Sequence, residues 1–525
     1  MLKEHAVRSW SVLTSTSPAT CMGYLLAFLF LWRTFVMLKM HYNRPRDMPM
    51  KRQSSFLATC IFNLRFITSA PPFIFEKYHE LKKSTFAMPA LTEYQVLACS
   101  SSDIQATCEA PEEVLSFHEA MTDRLKHKYT MFGFEHNDVD PHNAVAGRTL
   151  KVLLRTHLQQ LRNVIENGVK AGFWAGTNGL RESPDGWLNV PLFALSRQIT
   201  ERVNSLVFLG PELANSPHFM KSAVRYSNDA IIAAEICRQL PSIFTPVIAP
   251  VIMRLTGSMH KVAASIRTLV QTRLTEMDNK PADSTKRLDC VQWIIESSST
   301  PAQRTLDRLV QQIGALFFAS SHQMPMALAY AIHSLCIHDK YIELLRSEIA
   351  AAYGSGEENP LRHMHLLNAF LRESARLNPL DALSVQRKVL HPFKLPDGGI
   401  IPPGNLIAVP QQALLMDADI YPAPYHFDPY RHFPEHRRAK HEDVNTRYTD
   451  VSITYPFWGS PRKPCPGRWY VSDTLMLALI HLLTEYDFKI ADKSASRSFF
   501  WTTAMVPRLS TRILLKKRNS KNPDS

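Results

Sequence analysis

The sequence has few cysteines for its length, and none of them are spaced as metal-site pairs. Eight occur in 525 residues, at Cys21, Cys60, Cys99, Cys108, Cys237, Cys290, Cys336 and Cys465. No Cys-x-x-Cys spacing is present, and the cysteines are too sparse for the disulfide framework of a small secreted protein. Both absences predict a chain that resides in a reducing compartment.

The sequence also lacks internal repeats and any recognised nucleic-acid-binding module. The net charge of +13 could indicate a nucleic-acid partner, but lysine and arginine are spread along the chain. Part of the surplus flanks an apolar amino-terminal segment, and part lies in the tail Lys516-Lys517-Arg518. We therefore expect no nucleic-acid partner. With 45% hydrophobic residues, the chain can bury a large core as one catalytic domain.

The most informative segment surrounds Cys465. Residues 457–468 read Phe-Trp-Gly-Ser-Pro-Arg-Lys-Pro-Cys-Pro-Gly-Arg and precede a long helical pattern. Glycine lets the backbone approach a flat ligand closely, and proline makes the turn rigid. A thiolate in such a turn could ligate a metal. The alternative is a free cysteine in a surface turn, which short motifs of this kind often turn out to be.

A second candidate element is the helical pattern 366–377. Glu373 and Arg376 lie on one face at i,i+3 spacing, close enough to pair. Taken alone, such a pair is usually a solvated surface contact that contributes well under ~1 kcal/mol. Farther along, residues 427–433 read Phe-Asp-Pro-Tyr-Arg-His-Phe and place Arg431 before the cysteine run.

Short alternating stretches between these elements predict a small sheet. They cover residues 385–389 and 400–409, around Gly398 and Gly399. Arg387 lies in the first stretch. Taken alone, such an arginine is an ordinary strand-edge charge that prevents strand pairing.

Together these motifs resemble the cytochrome P450 family. The cysteine run resembles the family's haem-binding loop, and the segment with Glu373 and Arg376, followed by Arg431, occurs in the expected order. The resemblance implies that Cys465 is the axial ligand of haem iron, within a loop that includes Trp458, Gly459 and Gly467. It also implies that Glu373, Arg376 and Arg431 form a buried structural cluster behind haem, and that Lys463 and Arg387 face the haem propionates.

Several positions depart from the family pattern. Pro461 stands where the family commonly has glycine, and Trp458 where it usually has phenylalanine. The usual Trp-x-x-x-Arg of a helix beside haem is not obvious, and His142 and Arg148 are the candidates for that neighbourhood.

A long apolar pattern precedes these motifs and predicts a central, buried helix. Thr300 would cap this helix and Pro301 would occupy its first turn. The apolar stripe comprises Leu306, Leu309, Ile313, Leu316 and Phe317. Because Pro325 cannot donate a backbone hydrogen bond, we expect a bend near the carbonyl of Ser321.

By the resemblance, this helix crosses the oxygen-binding face of haem, where most members place an acidic residue followed by threonine. Here His322 takes the acid position and Gln323 the threonine position. The hypothesis is that Ser320, His322 and Gln323 hold ordered water and relay protons. The alternative is that His322 and Gln323 satisfy each other or the backbone inside the helix bundle.

The amino terminus contains an apolar segment, 19–38, with the approximate length of a membrane span. Arg33 interrupts it and could reach the headgroups, or the apolar core could lie earlier, between Ser11 and Trp32. A cleaved signal peptide is the alternative, but no small-x-small cleavage site follows. More basic residues follow the segment than precede it, so the catalytic domain should be cytosolic.

The sequence therefore predicts a mainly α fold with small β-sheets, a cytochrome P450 fold with one amino-terminal transmembrane helix. The predicted divisions are a lumenal segment 1–18, an anchor 19–38, a basic proline-containing linker 39–70, a haem-thiolate catalytic domain 71–515 and a basic polar tail 516–525.

The resemblance implies a monooxygenase of the endoplasmic reticulum membrane that inserts one oxygen atom into a lipophilic secondary metabolite. Its cofactor would be haem b, with electrons from NADPH through NADPH–cytochrome P450 reductase and cytochrome b5 as a further partner. The alternatives are a haem-thiolate isomerase or dehydratase that needs no reductase, and a non-catalytic haem-binding protein.

Overall fold

Helices dominate the computed structural model, which describes residues 18–50, 56–90, 92–135, 139, 144–279, 287–433 and 447–518. The α-helices are α1 (Pro18–Tyr42), α2 (Phe56–Glu80), α3 (Ser101–Glu109), α4 (Phe117–Leu125), α5 (His127–Thr130), α6 (Ala144–Arg148), α7 (Leu158–Thr177), α8 (Leu192–Asn204), α9 (Pro211–Ala214), α10 (Pro217–Arg238), α11 (Thr245–Thr256), α12 (Ser258–Asn279), α13 (Cys290–Ser297), α14 (Leu306–Ile337), α15 (Ile342–Gly354), α16 (His365–Leu377), α17 (Gln411–Leu415) and α18 (Arg468–Glu485). Turns of π-helix extend α6 over Thr149–Leu154 and α8 over Ser205–Leu209.

The strands are short and lie in small sheets. They are β1 (Phe86–Pro89), β2 (Tyr94–Leu97), β3 (Leu115–Ser116), β4 (Leu188–Pro191), β5 (Ser384–Val389), β6 (Phe393–Lys394), β7 (Ile400–Ile401), β8 (Leu406–Val409), β9 (Tyr486–Ile490), β10 (Ser498–Trp501), β11 (Ala504–Pro507) and β12 (Arg512–Lys517). The largest sheet has the order β1-β2-β8-β5-β3, in which only β2 and β8 pair in parallel. Of the predicted strands at 385–389 and 400–409, β5 and β8 belong to this sheet, whereas β7 pairs with β6 in a separate two-stranded sheet.

The long predicted helix is α14, but it begins later than the sequence indicated. Residues 301–304 form a turn, because the Thr300 side chain accepts from the Gln303 amide at 3.3 Å and the Gln303 side chain accepts from the Thr300 amide. The chain then extends at Thr305, with φ −60° and ψ 140°, and α14 starts at Leu306. The prediction of Thr300 as cap and Pro301 as first turn is therefore wrong. The helix continues through Pro325 to Ile337.

Close packing between α7 and α8 places α8 against the central helix. Gly172 lies so close to α8 that a Cβ atom there would be 2.4 Å from the Cα of Ile199. Gly168 and Gly176 face Val203 and Leu195 in the same way, one turn to either side. The small residues allow the two backbones to approach, and α8 in turn packs on α14. This arrangement brings the polar residues of α8 beside the middle of the central helix.

The predicted anchor 19–38 falls within α1, and Arg33 is buried there. Among the described residues, no single helix combines the length and hydropathy of a membrane span; only the bent pair 242–256 and 258–279, angled by 76°, does so together. The membrane anchor therefore stays a prediction. The segments 1–17, 51–55 and 519–525, and the candidate His142, lie outside the described residues.

Substitution of Gly172 by alanine should destabilise the fold. The added methyl group has only backbone of α8 to displace, so we expect the free energy of unfolding to fall by about 1–3 kcal/mol. Gly147→Ala is the control, because a Cβ there meets nothing within 4 Å. Urea unfolding followed by circular dichroism would compare the two, and equal stability of both variants would contradict the proposed close packing.

Candidate active site

The loop that carries Cys465 is a closed hairpin. The backbone amide of Cys465 donates to the carbonyl of Trp458 at 2.7 Å, and Gly459 forms an antiparallel β-bridge with Pro464. Gly459 has φ +96°, a conformation that side chains disfavour, and a Cβ there would lie 3.2 Å from the carbonyl oxygen of Lys463. The Trp458 indole donates to the carbonyl of Tyr448 at 2.6 Å. These contacts hold the cysteine at the start of α18, with Gly467 as the residue before the helix.

Cys465 differs from the other cysteines whose burial the structure describes. Those others are buried, whereas Cys465 is partly accessible. Its low-polarity surroundings raise the pKa of the thiol, while the backbone amides of Gly467 and Arg468 and the charge of Arg468 act in the opposite direction. These amides and this guanidinium are the groups that would stabilise a thiolate.

Acidic residues before α4 meet the basic side of the loop. The Lys463 ammonium lies 2.6 Å from the Glu112 carboxylate, and Arg462 donates to the carbonyl of Glu109. Burial opposes ionisation of Glu112, but Lys463, the His118 amide and the Ser116 hydroxyl outweigh it and lower the pKa of Glu112 to about 2. The Glu112 carboxylate is therefore ionised at neutral pH and forms an ion pair with Lys463.

Arg387 is inside the sheet and not on its edge. It lies on β5, between β8 and β3, and is 6% exposed. Its guanidinium donates to the carbonyl of Gln386 at 2.8 Å and lies 5.3 Å from the centre of the Phe117 ring. The interpretation as a strand-edge charge is thus wrong.

Behind the loop, Glu373 and Arg376 form a buried ion pair. Both Arg376–Glu373 hydrogen bonds measure 2.8 Å, and both side chains are fully buried. Arg431 donates to the same carboxylate at 3.2 Å, as does the backbone amide of Asp428 at 3.1 Å. The two arginines also donate to one carbonyl, that of His426.

A further partner of this carboxylate is His432, which the sequence analysis did not identify. Its Nε2 lies 2.9 Å from Glu373 Oε2, and the ring is fully buried. Although burial opposes ionisation, the hydrogen bonds from Arg376 and His432 hold the pKa of Glu373 well below its usual range. In the sequence, only its position next to Arg431 indicates that His432 could reach this carboxylate.

The residues predicted to relay protons lie together on α14 but differ in exposure. Ser320 is half-buried, and its hydroxyl donates to the carbonyl of Phe317 at 2.8 Å. Burial, and then the charges of Arg124 and Arg197, lower the pKa of His322 to about 4. Gln323 is exposed. Within the part of the chain that the structure describes, no hydrogen bond joins the His322 and Gln323 side chains, so the two do not satisfy each other.

Comparison with known proteins shows which family has this arrangement of residues. The family model "Cytochrome P450" matches residues 74–516. The chain belongs to the cytochrome P450 family. Curated relatives are P450 monooxygenases of fungi, among them cytochrome P450 monooxygenase 110 of Postia placenta, which is 24% identical over 95% of this chain and 98% of its own length.

Two further proteins show the breadth of the likeness. The ent-kaurene oxidase P450-4 of Gibberella fujikuroi is 25% identical over 89% of this chain and 91% of its own length. The solved structure of a retinoic acid-bound cyanobacterial P450, CYP120A1, matches with a TM-score of 0.65 at 15% identity, covering 90% of this chain and 99% of that chain. The helix-rich fold with small sheets is thereby confirmed as the P450 fold.

The family implies a haem iron, and the residues around Cys465 fit one. A single cysteine on a rigid loop, with Gly459 before it and Gly467 after it, suits a flat group whose metal needs a single protein ligand. Within the described residues, no group of three or more His, Cys, Asp or Glu side chains could hold a bare metal ion. A metal that arrives within its own macrocycle is consistent with that donor set.

Removing the buried charge of Glu373 should lower the free energy of unfolding far more than removing an exposed charge. Glu373→Gln leaves Arg376 and Arg431 buried without their anion, so we expect a loss of roughly 3–5 kcal/mol in the free energy of unfolding. Because the pKa of Glu373 is depressed, this difference from wild type should shrink as the pH falls below about 4.

The matched control is Glu343→Gln. Glu343 pairs with Arg346 at the same i,i+3 spacing but is 79% exposed, so we expect a change below about 1 kcal/mol. Chemical denaturation at several pH values measures both variants. Similar losses for the two would refute the structural role of the Glu373 cluster.

Proposed function

We propose that the protein is a haem-thiolate monooxygenase that inserts one atom of dioxygen into a lipophilic small molecule. The observation that carries this proposal is the partly exposed Cys465 on a rigid hairpin, backed by a fully buried Glu373 cluster. When bound, haem b supplies the activation of dioxygen, and its thiolate ligand favours cleavage of the O–O bond. The chain's own residues hold the cofactor, position the substrate and handle protons.

The residues that would hold haem surround the Cys465 loop. Cys465 would ligate the iron, with Trp458, Gly459 and Gly467 shaping the loop. Lys463 and Arg387 would face the propionates. Both are cations near Glu112, so this carboxylate would orient them toward the edge of the macrocycle. Glu373, Arg376 and Arg431 would serve as structural support.

Proton handling would rest on Ser320, His322 and Gln323. Since the pKa of His322 is about 4, its ring is neutral at neutral pH and holds water through one donor and one acceptor nitrogen. Gln323 cannot titrate but can orient water, and its exposure leaves it available for that role. A hydroxyl, an imidazole and an amide would replace the usual acid and threonine.

The substrate class would be a secondary metabolite, that is, a terpenoid, alkaloid or polyketide intermediate. Support comes from the relatives' names, which include ent-kaurene oxidases of Gibberella and Fusarium species. The hairpin of β10 and β11 presents Phe499 and Trp501, both partly exposed, which suits a lipophilic molecule.

Electrons would come from NADPH through NADPH–cytochrome P450 reductase, with cytochrome b5 as a second possible donor. Arg462 and Arg468 beside the loop would attract an acidic partner. We place the protein at the endoplasmic reticulum membrane as a single-pass protein, with segment 1–18 lumenal, anchor 19–38, linker 39–70, cytosolic catalytic domain 71–515 and tail 516–525. The basic flank after residue 38 supports this orientation.

A reductase-independent isomerase or dehydratase is the second candidate function. The observation that favours it is Gln323 at the position where a proton-delivering threonine is usual. Product formed without NADPH would support it. Ligand uptake without any turnover would instead indicate a non-catalytic binding protein.

The first measurement is the carbon monoxide difference spectrum of the reduced protein. We expect a thiolate-type Soret band in wild type and its loss in Cys465→Ala, because alanine removes the sulfur ligand. Cys237→Ala is the control, since Cys237 is buried in α10. A thiolate-type band that survives in Cys465→Ala would disprove the assignment of the ligand.

The role of Gln323 can be tested through hydrogen peroxide release. We expect Gln323→Leu to release more peroxide per NADPH than wild type, because water is no longer oriented for proton delivery. Gln311→Leu, about three turns earlier on the same helix, is the control. Unchanged coupling in Gln323→Leu would rule the role out.

A further inference from the structure

Glu201 is a fully buried carboxyl group in the helix bundle beside the middle of α14. It lies on α8, with none of its surface exposed. One oxygen, Oε2, is 3.1 Å from the Ser321 hydroxyl, whereas Oε1 is buried without a hydrogen-bond partner. Within the described residues, Glu201 forms no ion pair. A buried carboxylate in this setting would be an uncompensated charge, so the geometry favours the neutral acid.

The groups around Glu201 supply little charge to offset its burial. Arg197, one turn earlier on α8, directs its guanidinium to the carbonyl of Val224 and the hydroxyl of Ser227 on α10. From α14, Ser321 faces the carboxyl and the neighbouring His322 is neutral at neutral pH. From α18, Tyr470 lies nearby and donates to Asn204 at 2.8 Å. Burial accordingly raises the pKa of Glu201 to about 7, despite Arg197 and Ser321.

A single carbonyl connects this carboxyl group to the predicted relay. The Ser321 hydroxyl lies 2.9 Å from the carbonyl oxygen of Phe317, and the Ser320 hydroxyl lies 2.8 Å from the same oxygen. The helical hydrogen bond from the Ser321 amide also ends on that oxygen. A carbonyl has two lone pairs, so the two hydroxyls compete for it.

The protonation state of Glu201 would decide this competition. A protonated Glu201 would donate to the Ser321 hydroxyl, which would then donate to the Phe317 carbonyl and release the Ser320 hydroxyl. An ionised Glu201 would instead accept from Ser321, and the Ser320 hydroxyl would donate to the carbonyl in its place. The hydrogen count is conserved, because the only proton gained or lost is that of the carboxyl group.

We propose that Glu201 is a positioning residue for proton delivery, which acts through Ser321 to set the orientation of the Ser320 hydroxyl. This inference rests on the proposed monooxygenase function. It assigns a role to a buried acid on α8, outside the stretch of α14 where the sequence directs attention. The Ser320 backbone is itself held from α8, because the Asn204 amide donates to its carbonyl at 3.1 Å.

The first test requires no turnover. Between the unfolded pKa of about 4.3 and the folded value, native Glu201 keeps a proton that the unfolded chain has lost. The thermal midpoint of the full-length wild-type holoenzyme should therefore fall by several degrees, relative to Glu201→Gln, as the pH rises through this interval. A difference between the two proteins that does not vary with pH would overturn the inference, because Glu201 would not titrate in this range.

The second test measures peroxide and water formed from oxygen, with reductase and NADPH. In wild type, the ratio of peroxide to water should be roughly tenfold higher above the pKa of folded Glu201 than below it. This factor is what about one hydrogen bond contributes to the barrier for proton delivery. Glu201→Gln, which imitates the neutral acid, should keep the low ratio at every pH. Ser321→Ala should also lose the pH dependence, because the connection to Ser320 is cut.

Glu348→Gln provides the matched control. Burial raises the pKa of Glu348 as well, but its carboxylate accepts from the amides of Leu366 and Leu367, at the start of α16. This variant should alter the pH dependence of unfolding yet keep the wild-type peroxide profile. Identical peroxide profiles for wild type and Glu201→Gln would overturn the inference. A wild type that consumes no NADPH would reject the monooxygenase proposal, while the unfolding comparison would still decide whether Glu201 titrates.

Discussion

The ionised carboxylate of Glu373 is the constraint on which the architecture behind the cysteine loop depends. A buried anion is strongly unfavourable unless its oxygens are fully hydrogen-bonded, and here Arg376, Arg431, His432 and a backbone amide all donate to it. Each donor comes from a segment that must therefore occupy one place. The carboxylate thus fastens α16 to the 3₁₀ helix Pro429–His432.

The same arginines extend the constraint toward the cysteine. Arg376 also donates to the carbonyl of Leu415, at the end of α17, and Arg431 to that of Pro422. Neighbouring Arg372 stacks 3.8 Å from the centre of the Tyr455 ring, which in turn stacks on Phe457 at the entrance of the loop. A metal ligand requires a rigid loop, because even a small displacement would move a thiolate out of the geometry in which it can bind the metal.

Particular residues show how far sequence reasoning reached. The pairing of Glu373 with Arg376 follows from helical spacing, and α16 begins only one residue before the predicted start. The start of α14 was misplaced because Thr300 and Pro301 carry helix-start signals that a local turn with Gln303 uses instead. His432 was missed because nothing local to a histidine reveals that a carboxylate from a distant helix will face it.

The sequence by itself determined the family, the helix-rich fold and the order of the motifs, because residue spacing and rigid turns are local properties of the chain. Only the tertiary structure decided which groups meet. It placed Glu112 against Lys463, brought His432 to Glu373, and set Glu201 beneath Ser321 through the close approach of α7 and α8. These contacts join residues far apart in the chain. The charge states of the side chains depend on burial, which a local sequence pattern does not indicate.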